Sequence, residues 1–251
     1  MIPLKNEKEV KILKEGGRRL ALVMKEALLL IKPGLSLSEI DQKIEKAILK
    51  NGGKPSFKMV PNYHWASCLN INQGIVHGVP NDYFLKEKDL LSIDIGFFWQ
   101  GFHTDMARSI LVGKGTKKIS DFLDVGKKTL KKAIKEARVG NRIGHISLAI
   151  EKGVKQAGYS PVEVLTGHGV GQRLHEEPQI PCLLRRNLQD TPKIKSGMVL
   201  AVEVIYTQGS PDLVLSQDNW TLETKDGLLG GLFEDTVYVD KNKTQVLTKL
   251  N

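Results

Sequence analysis

The sequence predicts an α+β fold with a mostly antiparallel sheet and helices on its outside. Four segments show the apolar period of amphipathic helices, and the segments between them alternate apolar and polar residues as strands do. Their order is two helices, a strand block, two helices and a second strand block, unlike the regular alternation of a parallel sheet. The length of 251 residues and the 41% hydrophobic share favour one globular domain, or two half-domains that share a core.

The first helix pair is predicted from capping patterns as well as from periodicity. We expect a helix over about residues 7–31, where Asn6 and Glu9 have the spacing of a capping box. The second helix is expected over about residues 36–50, opened by Ser36 and Glu39 in the same pattern.

Strand patterns dominate between and after the helix pairs. Residues 90–97 and 102–112 predict two strands joined by a short turn at residues 99–101. A second helix pair is expected over about residues 121–137 and 143–157. Three further strands are then expected over residues 162–165, 198–206 and 232–240.

A weak internal repeat predicts two related halves, approximately residues 1–115 and 116–251, within one catalytic domain. Residues 86–97 (KEKDLLSIDIGF) align with residues 195–206 (KSGMVLAVEVIY) at an offset of 109 positions. The dipeptide His-Gly also occurs once in each half at comparable places. Each half then offers one histidine and two strand carboxylates: His77, Asp94 and Asp105 in the first, and His168, Glu203 and Glu234 in the second.

The four strand carboxylates predict a metal site. Asp94 and Glu203 lie in strands that are otherwise apolar, where an isolated buried carboxylate is unfavourable. A buried ion pair would explain any one of them, but few Lys or Arg residues lie on these strands. Four carboxylates balance the charge of two divalent ions, and together with the imidazole of His168 they suit Mn, Fe, Co or Zn.

Other catalytic motifs are missing or out of context. The sequence contains neither a P-loop nor a G-x-S-x-G nucleophile motif, and the glycines around His168 lack the βαβ surroundings of a dinucleotide site. Cys68 and Cys182 lack the paired spacing of a zinc ribbon, and Cys182 is expected to be a buried, inert thiol.

The charge balance leaves two interpretations open. The chain has 37 Lys+Arg against 28 Asp+Glu, a net charge of +9, which suits work near RNA or ribosomes but is equally typical of a solvated basic surface. No RNA-recognition motif is found, and the densest cluster is expected on the outer face of one helix: Lys127, Lys128, Lys131, Lys132 and Lys135.

Composition also bears on the compartment. Two cysteines are too few for a disulfide framework, which favours a reducing environment. We expect no secretory leader and no membrane segment, because no stretch approaches the roughly 20 apolar residues of a spanning helix. A cytoplasmic protein is therefore expected.

With these residues in place, the chain resembles the type I methionine aminopeptidases of the short bacterial kind. The resemblance covers essentially the whole chain and is carried by ordered motifs: Asn72-x4-His77-Gly78-Val79-Pro80, Ser92-Ile93-Asp94, Gly101-Phe102-His103-x-Asp105, Gly167-His168-Gly169-x-Gly171-x3-His175-Glu176-Glu177-Pro178, Gly197-Met198-x4-Glu203, Asp218-x-Trp220-Thr221-x2-Thr224-Lys225-Asp226 and Phe233-Glu234.

This resemblance implies a fold and an activity. The fold would be the "pita-bread" fold, with two pseudo-symmetric halves around two divalent metal ions (Co, Mn, Fe or Zn). The activity would be removal of the initiator methionine from nascent polypeptides, with a preference for a small second residue. We expect a monomer without membrane attachment.

Residue by residue, the resemblance implies five metal ligands. Asp94 resembles the bidentate ligand of one ion, and Asp105 and Glu234 resemble the carboxylates that bridge both ions. His168 and Glu203 would complete the coordination of the second ion. Glu203 also matches the general base that moves a proton toward the leaving amine.

The resemblance implies substrate contacts as well. His77 and His175 match two histidines that position the scissile amide and stabilise the developing oxyanion. The implied methionine pocket has a soft, apolar lining that suits a thioether. Its members are Tyr63, Cys68, Leu174 and Trp220, with Phe57 as a further contributor.

Several positions depart from the family pattern. Val204 stands where proline commonly follows the ligand that matches Glu203. Asp235 stands where histidine commonly follows the ligand that matches Glu234. Asn62-Tyr63-His64 replaces a Gly-aromatic-Pro segment, and Leu174 replaces an aromatic residue. We expect these changes to affect the pocket more than metal binding, because all five ligand positions keep competent side chains.

Two rival functions remain open at this level. One is a proline-specific peptidase of the same fold, although those enzymes usually carry an extra N-terminal domain and only 76 residues precede His77. The other is a non-catalytic protein that uses the fold and its basic charge to bind ribosomes or RNA.

Overall fold

Two helix pairs and two strand blocks follow each other along the chain, so the predicted α+β class is confirmed. The computed structural model describes residues 2–250. The helices are α1 Glu7–Leu30, α2 Leu37–Lys50, α3 Lys117–Glu136 and α4 Ile143–Lys155. The strands are β1 Lys54–Pro55, β2 Ser67–Ile71, β3 Gly74–Val76, β4 Leu90–Trp99, β5 Phe102–Leu111, β6 Ser160–Pro161, β7 Thr166–Gly169, β8 Glu176–Pro181, β9 Val199–Thr207, β10 Leu213–Leu215, β11 Leu222–Thr224, β12 Gly230–Val239 and β13 Thr244–Val246.

The first helix pair begins where the capping patterns predict. The Asn6 side chain accepts the N–H of Glu9 at 3.1 Å, and the Glu9 carboxylate accepts the N–H of Asn6 at 2.8 Å. Ser36 and Glu39 make the same reciprocal pair at 3.2 and 2.9 Å. None of the helices among residues 2–250 is both long and apolar enough to cross a membrane.

The second helix pair differs from prediction at its ends. α3 begins four residues early, because the Thr116 side chain accepts the N–H of Ile119 and caps the helix there. α4 ends at Lys155, two residues before the predicted end. The five clustered lysines of α3 are exposed, as expected, while Phe122, Leu123, Leu130 and Ala133 are buried.

The turn between β4 and β5 is a two-residue hairpin loop. Gln100 and Gly101 have φ angles of 47° and 86°, the positive values of a turn that matches the twist of paired strands. Trp99 pairs with Phe102 directly beside the turn, so β4 extends two residues beyond the predicted end.

The strand predicted over residues 162–165 is wrong. Pro161 pairs with Tyr206 and His168 pairs with Ala201, so the connecting segment has two residues more than the stretch of β9 that it faces. The segment therefore bends outward, and Val164 is 70% exposed. Apolar content alone predicted a strand where register requires a bulge.

The main sheet has two central strand pairs that meet at its middle. Its order is β1-β4-β5-β12-β9-β7-β8, with β2 also on β4, β6 on β9 and β13 on β12. Every strand pairing within the described residues is antiparallel. Pro55 pairs with Phe97, and Pro161 pairs with Tyr206. Phe97 and Tyr206 are 109 positions apart, which is the offset of the sequence repeat.

The predicted match of His77 with His168 is wrong in register. His168 pairs with Ala201, whereas the residue 109 positions before Ala201, Ser92, pairs with Asn70. Asn70 therefore holds the place that corresponds to His168. His77 instead follows β3, which belongs to the separate sheet β10-β11-β3. A shared His-Gly dipeptide is too short to define a register.

The helices cover one face of the main sheet. Ile93 and Ile95 belong to the buried cluster formed with α1 and α2, and Phe233 belongs to the cluster formed with α3 and α4. Successive strand residues point to opposite faces. Asp94 and Glu234 therefore point away from the helices, toward the opposite face of the sheet.

Candidate metal centre and substrate pocket

A row of carboxylates crosses the four central strands on that opposite face. Asp94 lies opposite Ala107, Ala107 opposite Glu234, and Glu234 opposite Glu203. Directly opposite residues share a face of the sheet, and so do residues two apart in one strand, which adds Asp105. The register thus brings all four predicted carboxylates together, although Ala107 and not Asp105 is the positional counterpart of Glu234.

His168 joins this face from β7. Its partner Ala201 is two residues from Glu203, and its Nε2 lies 3.4 Å from Glu203 Oε1. Its Nδ1 is 2.8 Å from the Gly169 carbonyl oxygen, so Nδ1 carries the proton and Nε2 presents its lone pair to the carboxylates. Ligand atoms of Asp105, His168 and Glu234 all lie within 4.8 Å of one another, a group that could hold a metal ion.

Burial disfavours the charged form of the four carboxylates when no cation is near. Burial raises the pKa of Asp105 to about 7, and burial together with the charge of Asp105 raises the pKa of Asp94, Glu203 and Glu234. Asp94 Oδ1, Asp105 Oδ1 and Glu234 Oε1 are buried without a hydrogen-bond partner among the described residues. Hard oxygen donors that converge in this way fit divalent cations, which would supply the missing positive charge.

The histidines around the carboxylates are neutral at pH 7. Burial lowers the pKa of His168 to about 3 and also lowers the pKa of His77 and His175. The rings of His168 and His175 meet edge to face, with centroids 4.5 Å apart. His77 has a φ of 58°, a left-handed backbone conformation that is uncommon outside glycine and concentrates at functional positions.

One cavity contains the predicted site residues. Its volume is about 560 Å³, and all twelve residues named from the sequence line it. They are Phe57, Tyr63, Cys68, His77, Asp94, Asp105, His168, Leu174, His175, Glu203, Trp220 and Glu234.

The apolar end of the cavity is a separate buried cluster. Phe57, Tyr63, Cys68 and Leu174 form it, and Trp220 packs against it with its ring 5.1 Å from the ring of Tyr63. The Tyr63 hydroxyl donates to backbone carbonyl oxygens and so presents only its ring to the cluster. Cys68 lies directly opposite Asp94 in the sheet, which places the apolar pocket beside the carboxylate row.

The structure accounts for Asp235. The side chain points to the helix face, where it lies 2.7 Å from Arg108 Nη2 and accepts the Thr248 hydroxyl at 2.8 Å. Arg108 also donates to the backbone oxygen of Glu234 at 2.5 Å. Asp235 is therefore half of a buried ion pair behind the carboxylate row. Nothing in the structure explains Val204 in place of proline.

Sequence reasoning missed several residues of the site. Thr166 in β7, Gln179 in β8 and Ile205 in β9 also line the cavity. Glu176 also lines the cavity and pairs with the distant Lys5. Glu176 stands in a motif already quoted, whereas no local pattern marks Lys5.

Comparison with known proteins identifies the same family that the motifs indicate. Residues 11–241 match metallopeptidase family M24. Methionine aminopeptidase 1 of Bacillus subtilis is 39% identical over 250 residues, which cover 100% of both chains. The methionine aminopeptidase of Clostridium perfringens is 35% identical over 99% of both chains.

Comparison with solved structures leads to the same family. The crystal structure of the methionine aminopeptidase from Thermotoga maritima has a TM-score of 0.96 and 32% identity, covering 99% of this chain and 100% of that chain. A prolidase from Pyrococcus furiosus has a TM-score of 0.80 and 24% identity, covering 99% of this chain and 66% of the prolidase, and shares the fold alone. The predicted pita-bread fold is confirmed. The chain belongs to metallopeptidase family M24 and, within it, to the methionine aminopeptidases.

Proposed function

We propose that this chain removes the initiator methionine from nascent proteins and peptides with the help of two divalent ions. The proposed ligands are Asp94, Asp105, His168, Glu203 and Glu234. The observation that carries the proposal is the row of four carboxylates, three of which have a buried oxygen without a hydrogen-bond partner, beside an apolar pocket in one cavity. Sequence and structural similarity to methionine aminopeptidases over the whole chain supports the same activity.

The proposed roles follow from where each side chain lies. Divalent cations at such a site supply activation of a water molecule and polarisation of the peptide carbonyl. The carboxylate of Glu203 accepts the proton of the attacking water and passes it to the nitrogen of the leaving amine. The neutral imidazoles of His77 and His175 donate hydrogen bonds to the carbonyl oxygen as it becomes negative.

The pocket is proposed to bind the methionine side chain. Tyr63, Cys68, Leu174 and Trp220 offer ring faces, a thiol and an alkyl chain, which are soft partners for a thioether. The second residue of the substrate would then face cavity residues outside this pocket, such as Thr166 and Ile205. We expect a small second residue to fit best there.

The experiment measures methionine release from Met-Ala-Ser by metal-stripped protein resupplied with Mn, Fe or Co. We expect release with at least one ion, none from Ala-Pro-Ser, and slower release from Met-Leu-Ser. Glu203→Gln should lower kcat by about 100-fold or more, because the proton acceptor is lost. Glu26→Gln, which changes a residue of helix α1, is the control. No release by folded, metal-loaded protein would contradict the proposal and favour the binding-protein rival, whereas release from Ala-Pro-Ser would favour the proline-specific one.

We further propose one catalytic domain with halves near residues 1–115 and 116–251, acting as a monomer in the cytoplasm. The matched pairings of Pro55 and Pro161 support the two halves. Both cysteines are free and buried, which supports a reducing compartment. Sedimentation velocity that shows a dimer would contradict the monomer.

The exposed lysines of α3 are proposed to assist docking on ribosomal RNA. All five lysines are exposed, and Lys128 has a carboxylate partner, Asp124, at 3.8 Å. Counterion release makes such binding sensitive to salt, so cosedimentation with ribosomes should fall sharply between roughly 50 and 200 mM salt. Lys131→Glu/Lys132→Glu should weaken it further. Absence of cosedimentation at low salt would contradict this part of the proposal.

A further inference from the structure

Lys5 and Glu176 form a buried ion pair at the edge of the cavity. Lys5 Nζ lies 2.5 Å from Glu176 Oε2, and each side chain is 4% exposed. Lys5 belongs to the segment that precedes α1, and its N–H donates to the Gly197 carbonyl at 2.7 Å. Glu176 opens β8 and follows His175 directly. The pair thus joins the amino-terminal segment to the strand that leaves the site.

The pair holds the loop between β7 and β8, residues 170–175. The second oxygen of Glu176, Oε1, accepts the N–H of Arg173 at 3.1 Å. A Cβ at Gly171 would lie 2.5 Å from Lys5 Nζ, so the lysine packs directly on the loop backbone. The Gly171 carbonyl also accepts the N–H of His103 at 2.7 Å. The loop is therefore held from two sides, by Lys5 with Glu176 and by β5.

The side chains carried by this loop are the ones that need accurate placement. Leu174 belongs to the apolar cluster of the pocket, and His175 lies edge to face against His168. A buried ion pair is a weak source of net stability, because desolvation of both charges offsets much of their attraction. Its geometry is nevertheless well defined, since a displaced partner would leave a buried charge uncompensated.

We propose that Lys5 is a positioning residue for catalysis. Through Glu176 it holds the β7–β8 loop so that His175 faces the scissile carbonyl and Leu174 faces the methionine side chain. This inference rests on the proposed function, because the placement of His175 matters for turnover only if His175 contacts the substrate. His168 is held independently by its pairing with Ala201, so metal binding should be spared when Lys5 is changed.

The test compares Lys5→Met with Lys8→Met, which removes the same charge from an exposed position three residues away. We expect Lys5→Met to lower kcat for Met-Ala-Ser by about 10- to 100-fold, because small displacements of catalytic groups have effects of that size. KM should rise less than kcat falls, because Leu174 is the only one of the four proposed pocket residues that lies on the loop. The affinity for Mn²⁺ should change less than about twofold, since no proposed ligand lies on the loop. Lys8→Met should behave as wild type. Glu176→Gln, which keeps the side-chain size, should reproduce the loss and serves if Lys5→Met does not fold.

A double variant separates positioning from general damage. If Lys5 acts through His175, adding Lys5→Met to His175→Ala should lower kcat by less than about threefold, because the two changes share one route. Persistence of the full Lys5→Met loss in that background would overturn the proposal.

Hydrogen exchange gives a readout without catalysis. The amide of Arg173 should exchange at least about tenfold faster in Lys5→Met than in wild type, because its acceptor is no longer held. Unchanged exchange would overturn the inference even if activity falls. Wild-type protein could release no methionine while the Arg173 amide still exchanges faster in Lys5→Met. In that case the proposed function fails, but Lys5 is still shown to hold the loop.

Discussion

At the scale of single residues, the two faces of a strand separate adjacent carboxylates with different partners. Glu234 faces the cavity, and Asp235 faces the helices beside Arg108 and Thr248. Arg108 contacts both residues, since it donates hydrogen bonds to the Asp235 carboxylate and to the backbone oxygen of Glu234. The ion pair therefore supports the strand that carries a proposed ligand without entering the cavity.

Removing one member of this pair should be costly. We expect Asp235→Leu to lower the free energy of unfolding by about 3 kcal/mol, because Arg108 would keep a largely buried charge without its partner. Urea unfolding of metal-free protein measures the change. Arg108→Met/Asp235→Leu removes both charges and should be less destabilised than Asp235→Leu. Equal stability of the double and single variants would contradict this account of Asp235.

At the scale of secondary structure, α1 combines a well-capped start with close packing against the end of the chain. Gly16 and Gly17 lie side by side in this helix but face different neighbours. A Cβ at Gly16 would meet the Thr104 side chain at 3.7 Å, an ordinary contact. A Cβ at Gly17 would lie 2.7 Å from the backbone oxygen of Leu247, closer than real contacts allow. Only Gly17 is therefore required for the packing of α1.

The two glycines form a matched pair for measurement. Gly16→Ala should raise the free energy of unfolding by roughly 0.5–1 kcal/mol, because alanine is the better helix former. Gly17→Ala should lower it by roughly 1–3 kcal/mol, because the helix or residues 244–248 must shift. Thermal or urea unfolding measures both. Equal effects of the two changes would contradict the packing described for α1.

At the scale of the whole molecule, metal binding at the proposed site would be coupled to folding stability. Strands β4, β5, β9 and β12 carry the carboxylates, so cation binding there should stabilise the whole sheet. The folded-state pKa of Asp105, about 7, lies above its ordinary value of 3.8. Without metal, this carboxyl therefore contributes less to stability as pH rises through that range, since the folded state must release a proton. Cations and protons compete for the same oxygens.

We expect Mn²⁺ to raise Tm, and to raise it more at pH 8 than at pH 6, because proton competition is weaker at the higher pH. Differential scanning calorimetry of stripped protein with and without Mn²⁺ measures the shift. Asp105→Asn should reduce both the shift and its pH dependence, whereas Asp82→Asn, on an exposed loop, should not. A shift that is larger at pH 6 would contradict the proposed ligands.

Features that depend on near neighbours in the chain were predictable from the sequence. The capping pairs of Asn6 and Ser36 involve residues a few positions apart and appear where predicted. The turn predicted at residues 99–101 is found as a two-residue loop, Gln100-Gly101, because Trp99 already pairs with Phe102. The order of helix pairs and strand blocks also follows the prediction. The motifs likewise identified residues that line the cavity, Asp94 and His168 among them. Periodicity, capping and turn conformation are short-range preferences, so one sequence contains enough information to specify them.

Register and distant pairs were settled only by the packed structure. The bulge at residues 162–165, the correspondence of Asn70 with His168 and the union of Lys5 with Glu176 across 171 positions have no local signature. Each depends on which strands become neighbours, and that choice minimises the free energy of the whole sheet and its buried charges together. Local preferences define the elements, but only their mutual packing places one ammonium beside one carboxylate.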